Sequence, residues 1–116
     1  MESIQIAIID PQYRAALRDM LIRNGAWTVQ CVDTPDPLTG GVLVVDAESL
    51  ERLPLPIIHP ERVVLITQNE PCHLARAWEV GLKSVVFDKD PLSTAVLAIM
   101  AARLRVSKTQ AEQRRD

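Results

Sequence analysis

Val42 to Asp46, Val-Leu-Val-Val-Asp, is an unbroken apolar run that ends on a carboxylate. It is too short for a helix, is rich in β-branched residues and follows Gly40-Gly41. Such a run reads as a strand buried on both faces, which requires a parallel sheet with helices on either side. Asp46 then stands at the carboxyl end of that strand. Open α/β sheets bind ligands outside those ends, so the acid is a candidate site residue. Its other reading is a cap for the helix that follows, and position alone leaves both open.

The rest of the chain repeats this grammar. Ile4 to Ile9 reads as a first strand, and Asp10-Pro11 ends it with a cap acceptor and a fixed φ at the first helical position. Tyr13, Ala16, Leu17, Met20 and Leu21 recur at helical spacing and predict one buried face, with Asn24-Gly25 as the stop. Trp27 to Val32 alternates and reads as an edge strand with a partly wet face. Asp33 to Gly41 holds two prolines and two glycines, which do not support a helix. Extended, these residues reach about 30 Å, enough for a bare-loop crossover.

After Asp46, Ala47 to Leu53 allows two helical turns before Pro54-Leu55-Pro56 breaks them. Val63 to Thr67 is another buried strand with a polar end. Pro71 opens a helix with Leu74, Ala77, Trp78 and Gly81 on one face. Ser84 to Phe87 reads as a fifth strand, and Asp90-Pro91 precedes a last helix with a buried stripe of Leu92, Ala95, Val96, Ile99 and Met100. Trp27 and Trp78 are expected in the core or on a dimer face. Five strands alternating with helices predict an α/β fold: a doubly wound, flavodoxin-like, five-stranded parallel sheet of order 2-1-3-4-5, its second helix missing or reduced. One domain is expected over residues 1–104, with 105–116 as a helix end or linker.

Charge and motifs narrow the function classes. Net charge is −2, but from Arg103 onward there are five bases against two acids, and eight bases against thirteen acids leave the body at −5. An acidic body argues against direct nucleic-acid binding. There is no membrane-length apolar run and no signal-peptide pattern, so a cytoplasmic protein is expected. Cys31 and Cys72 are expected as reduced thiols, and with His59 and His73 they have no zinc spacing. Nucleophile elbow, P-loop and dinucleotide fingerprint are all missing, which disfavours an enzyme and a nucleotide-binding domain.

Arg76-Ala77-Trp78-Glu79-Val80-Gly81, Pro11-x-x-Arg14 and the Lys89-Asp90 pair together resemble the receiver domain of two-component response regulators, over nearly the whole chain. The resemblance implies Asp46 as phosphoacceptor in a phosphorelay, Thr67 as switch hydroxyl and Lys89 as the ammonium that meets phosphoryl charge. It implies Mg²⁺ held by Asp10, Asp46 and the backbone carbonyl of Glu48. Expected partners are a sensor histidine kinase, a second copy in a homodimer and a C-terminal output domain. Activity is expected to go no further than self-phosphorylation and autodephosphorylation at Asp46.

Several residues depart from the pattern. Alignment on Pro11 and Arg14 places Ile8 and Ile9 where receivers carry two acids, with Asp10 one position later. Either Asp10 serves as the single acid, or the metal pocket is gone. Counting from Gly81, Asp88 takes the lysine position and Lys89 follows it. Val86 replaces the usual strand-five aromatic, and Phe87 comes one later. Three classes of function therefore remain: a phosphorylatable receiver, a phosphate-independent pseudo-receiver acting as a dimerisation or interaction module, and, disfavoured by the missing glycine-rich loop, an unrelated small α/β nucleotide-binding domain. The double offset predicts slow phosphorylation of Asp46 at most.

Overall fold

The apolar runs join one sheet in the computed structural model, which describes residues 3–25, 28–33, 41–53, 60–68, 70–82 and 84–113. Side chains are described as far as Leu104, apart from Asn24 and His73. The strands are β1 (Ser3–Ala7), β2 (Thr28–Cys31), β3 (Val42–Asp46), β4 (Val63–Thr67) and β5 (Ser84–Phe87). The helices are α1 (Pro11–Asn24), α2 (Ala47–Glu51), α3 (Pro71–Glu79) and α4 (Leu92–Gln113), with one 3-10 turn at Pro60–Arg62. All four strand pairings are parallel and the order is β2-β1-β3-β4-β5, as the alternation of elements predicts.

Alternation along the central strands splits the core into two layers. Ile4, Ile6, Val42, Val44, Val64, Ile66 and Val86 face α1 and α4, where they meet Leu17, Leu21, Ala95 and Ile99. Leu43, Val45, Val63 and Leu65 face the other way, against Leu50, Leu53, Ala77 and Leu82. Both faces of β3 are thus dry, with Val42 to Val45 at most 2% exposed. Polar Gln5, 3% exposed, and Ala7, 1% exposed, are buried as well, so no bare sheet face is left over β1.

The helices follow their punctuation with some corrections. The Gln12 N–H donates to Asp10 Oδ1 at 3.0 Å, and Pro11 occupies the first turn, where a missing N–H costs nothing. Gly25 is extended at φ −178°, so α1 ends without a left-handed glycine. Gly81 does supply one, at φ +83°. The Leu82 N–H donates to Ala77 O and the Gly81 N–H to Trp78 O, the paired bonds that close a helix over its last turn. This gives a local reason for Ala77 and Gly81: one is fully buried, the other holds a conformation that a Cβ disfavours.

Four members of the expected apolar faces, Ala16, Trp78, Gly81 and Met100, lie outside the core. Ala16 is exposed, and Met100 and Trp78 are 38% and 65% exposed, because each stands off the central line of its helix's buried face. Ala102 extends the buried line of α4 instead. The β1 strand stops at Ala7, two residues short of Ile9, since the chain bends toward the cap of α1. The bare-loop crossover and Trp27 lie outside the described residues, except for Asp33 and Gly41 at the loop's ends. The reduced helix after β3 is α2, five residues long. Among the described residues no helix is long and apolar enough to cross a membrane.

Candidate functional site

Parallel pairing brings the carboxyl ends of β1, β3, β4 and β5 to one rim. In register, Ala7 faces Val45, Asp46 faces Ile66 and Thr67 faces Phe87. The loops leaving that rim enclose a cleft of about 290 Å³ lined by Ile8, Asp10, Tyr13, Asp46, Ala47, Glu48, Ile66, Thr67, Gln68 and Asp88. Asp10, Asp46, Glu48 and Thr67 therefore share one site, as residues at strand ends should. Lys89 does not line it.

Backbone geometry explains the exchange at β5. The Asp88 N–H donates to Thr67 O at 2.9 Å, which extends the β4–β5 ladder by one residue and carries Asp88 to the rim. The chain then turns at once. The Phe87 N–H donates to Asp90 Oδ2 at 3.1 Å, and the Asp90 N–H donates to Phe87 O at 3.0 Å. Lys89 is exposed on that stitched turn, with no extra residue to bring it back into the cleft. A carboxylate thus lines the site where the resemblance implies an ammonium.

Asp46 has its own partners. The Ile9 N–H donates to its Oδ2 at 2.8 Å, and the Ser49 N–H donates to its Oδ1 at 2.8 Å. The second bond caps α2; the first ties β3 to the segment leaving β1. Both readings of Asp46 from sequence therefore meet at one side chain, which is at the rim and also a cap. Asp10 is similarly engaged by Gln12, and Arg14 Nη1 donates to Ile8 O at 3.4 Å.

Magnesium requires several hard oxygen donors converging on one point at about 2.1 Å. Among the described residues no three carboxylate, imidazole or thiol groups converge in that way. Ile8 lines the cleft where an acid is implied, both Asp46 oxygens face N–H donors, and Asp10 turns to its helix. Of the implied oxygen donors, Asp10, Asp46 and Glu48 line one cleft. Electrostatically the cleft is one-signed: its charged described lining residues are four acids.

Tyr13 is the site residue that sequence reading assigned only to the core. Its hydroxyl oxygen is buried without a hydrogen-bond partner. Burial, then the Asp88 and Asp90 carboxylates, pushes its pKa above the ordinary tyrosine value. The signal was available in its position: the first turn of a helix that follows a parallel strand stands at the ligand rim, so a polar side chain there warrants a second reading. Cys31 and Cys72 are exposed free thiols, and Cys72 Sγ is 3.9 Å from Glu70 Oε2.

No protein-family model matches the chain, and no curated protein matches it in sequence. Solved structures do. FixJ-N aligns with a TM-score of 0.65 at 20% identity, covering 89% of this chain and 94% of that one. The response regulator StyR aligns with a TM-score of 0.73 at 22% identity, covering 99% of this chain and 66% of that one. A response regulator receiver domain protein from Clostridium thermocellum aligns with a TM-score of 0.62 at 15% identity, covering 94% and 99%. With its parallel 2-1-3-4-5 sheet and helices on both faces, this chain has the receiver-domain fold of response regulators.

Proposed function

We propose that this chain is a receiver-fold signalling module that works without an aspartyl phosphate. The observation that carries this reading is the reversal of charge at the rim: Asp88, not Lys89, lines the cleft beside Asp46. Phosphoryl transfer to a carboxylate builds negative charge on three oxygens, which cations must meet. Four acids in one cleft oppose that charge. Signalling then rests on contacts of the folded domain with a second copy and with an output segment. The match to about two thirds of StyR is in keeping with a receiver unit joined to something further.

Phosphorelay from a sensor histidine kinase is the competing reading. Asp46, Thr67 and the residues after β3 at one rim favour it, and so does a structural neighbour from Burkholderia pseudomallei described with a phosphorylated aspartic acid, at 17% identity. Incubation of the purified chain with acetyl phosphate and Mg²⁺, followed by intact-mass measurement, separates the two. The expected spectrum has no stoichiometric phosphoryl adduct. Rapid addition of one phosphoryl group, lost in Asp46→Asn, would overturn the proposal.

A further inference from the structure

A second cavity lies between α2 and α3. Ala47 and Leu50 of α2, Ala75 of α3 and Leu65 of β4 line an apolar groove of about 500 Å³. Its wall positions fall at i, i+3 and i+4 on α2 and at i, i+3, i+4 and i+7 on α3, from Cys72 to Glu79, so each helix turns one face to the space. Arg76 and Glu79, which the closure of α3 does not explain, build the polar end. Arg76 Nε donates to Glu51 Oε1 at 3.0 Å and Nη2 to Glu51 Oε2 at 3.4 Å, while Nη1 donates to Glu79 Oε2 at 3.4 Å. The bridge crosses from α3 to α2 and shuts the groove at that end. Two carboxylates against one guanidinium leave it with a net negative charge. Ala47, at the opposite end, also lines the rim cleft, so the two cavities meet there.

We propose that this groove binds a small amphipathic cation, an ammonium carried on an apolar body. Its volume and apolar lining are those of a cleft that takes a small molecule. A partner helix fits it poorly. Helical anchors at i, i+4 and i+7 need about 11 Å of open groove, whereas the α2 wall rises only about 6 Å before the Glu51–Arg76 bridge crosses. Charge chooses the head group. An anion would have to displace Glu51 or Glu79 from Arg76 and then lie beside the carboxylate it displaced. A cation meets two carboxylates whose side chains are 58% and 67% exposed, and leaves the bridge to Arg76 intact. Such hydrated charges interact modestly, so the apolar body supplies most of the affinity and the head group sets the selectivity. Binding needs nothing from Asp46, so it stands or falls separately from the phosphate question.

Titration of the full chain with tryptamine, tryptophol and indole-3-propionate, followed by amide NMR shifts, provides the test. The three probes share an indole body and an ethylene chain and differ in head group. Tryptamine is expected to saturate with a Kd of about 0.1–1 mM, a range ordinary for a ligand of its size. Tryptophol should bind about threefold more weakly and indole-3-propionate about tenfold or more. Shifts should centre on Leu50, Ala75 and Arg76. In about 0.5 M NaCl the advantage of the amine over the alcohol should shrink toward nothing. Glu79→Gln, at an exposed position, should remove the same advantage and leave tryptophol binding unchanged. Ala75→Trp, also at an exposed position, fills the groove and should abolish binding of all three with an unchanged circular dichroism spectrum. If Ala75→Trp does not fold, the Glu79→Gln result decides. No saturation below about 10 mM, equal or tighter binding of indole-3-propionate, an undiminished amine preference in Glu79→Gln, or shifts centred on Asp10, Asp46 and Asp88 at the rim each overturns the proposal.

Discussion

Replacement of Asp46 by alanine distinguishes a carboxylate kept for chemistry from one kept for structure. The carboxylate accepts two backbone N–H groups, from Ile9 and Ser49, each at 2.8 Å. Hydrogen bonds to a charged acceptor contribute about 1.5–3 kcal/mol each when buried, and a helix cap about 0.5–2. Asp46 is only partly buried, so the lower ends apply, and losing both bonds costs about 2–3 kcal/mol. Against this stands relief of repulsion from Asp10, Glu48 and Asp88, about 0.2–1 kcal/mol in total for hydrated charges. The net expectation is a loss of about 2 kcal/mol. At roughly 4 °C per kcal/mol for a domain of this size, Tm falls by about 8 °C. Asp46→Asn keeps one acceptor oxygen but turns an amide NH2 toward the other N–H, so its loss falls between wild type and alanine. Urea unfolding followed by circular dichroism measures both. High salt screens the repulsion and leaves the cap intact, so the deficit should persist or grow in about 1 M NaCl. An Asp46→Ala variant as stable as wild type, or more stable, would refute the reasoning and restore Asp46 as a strained acid held for reaction.

Tyr13 is the single tyrosine, so phenolate absorbance reports it alone, and its titration midpoint is expected above 10.0. The folded state holds the phenolic proton more tightly than the unfolded chain does. Its stability contribution is therefore intact below the unfolded pKa and is lost as pH rises from there through the folded value. Tyr13→Phe, which also removes an unpartnered buried hydroxyl, should be at least as stable as wild type near neutrality and should lose less in alkaline unfolding curves. Asp88→Lys should lower the Tyr13 midpoint and raise Tm by about 0.5–1 kcal/mol equivalent, by breaking the run of like charge at the rim. Gly41→Ala should cost about 3 kcal/mol or more in urea unfolding, because at φ +100° its Cβ would lie 2.1 Å from Ser3 O of β1. Gly81→Ala, at φ +83° with Pro60 Cγ at 3.7 Å as its nearest neighbour, should cost only about 1–2 kcal/mol of backbone strain.

The sheet was legible because its signals were local and redundant. Val42 to Val45 and Val63 to Ile66 can be satisfied only by burial on both faces, and Asp10-Pro11 and Pro71 mark helix starts by their own stereochemistry. Strand order then followed from parallel crossovers. What was not legible depended on which side of a helix the tertiary contacts choose. Met100 and Ile99 are adjacent and both apolar, yet one is 38% exposed and the other fully buried. Trp78 fits an apolar pattern but faces outward, because its neighbour Ala77 takes the position against the sheet.

The site shows a sharper limit. Sequence correctly named the rim, since strand ends in a parallel sheet are fixed by where the apolar runs stop. It could not decide between Asp88 and Lys89, because a one-residue shift at a strand end depends on whether the ladder takes one more bond. Here the Asp88 N–H donates to Thr67 O, and the Phe87–Asp90 bonds close the turn immediately after. Those bonds involve backbone atoms that every residue carries, so side-chain identity could not have forecast them. Their consequence is nevertheless chemical: the same few atoms that end β5 carry Asp88 into the lining of the cleft. A shift of one position at the end of a strand therefore decides which side chain lines the rim, and a family resemblance carried over one position out of register would name the neighbouring residue, here one of opposite charge.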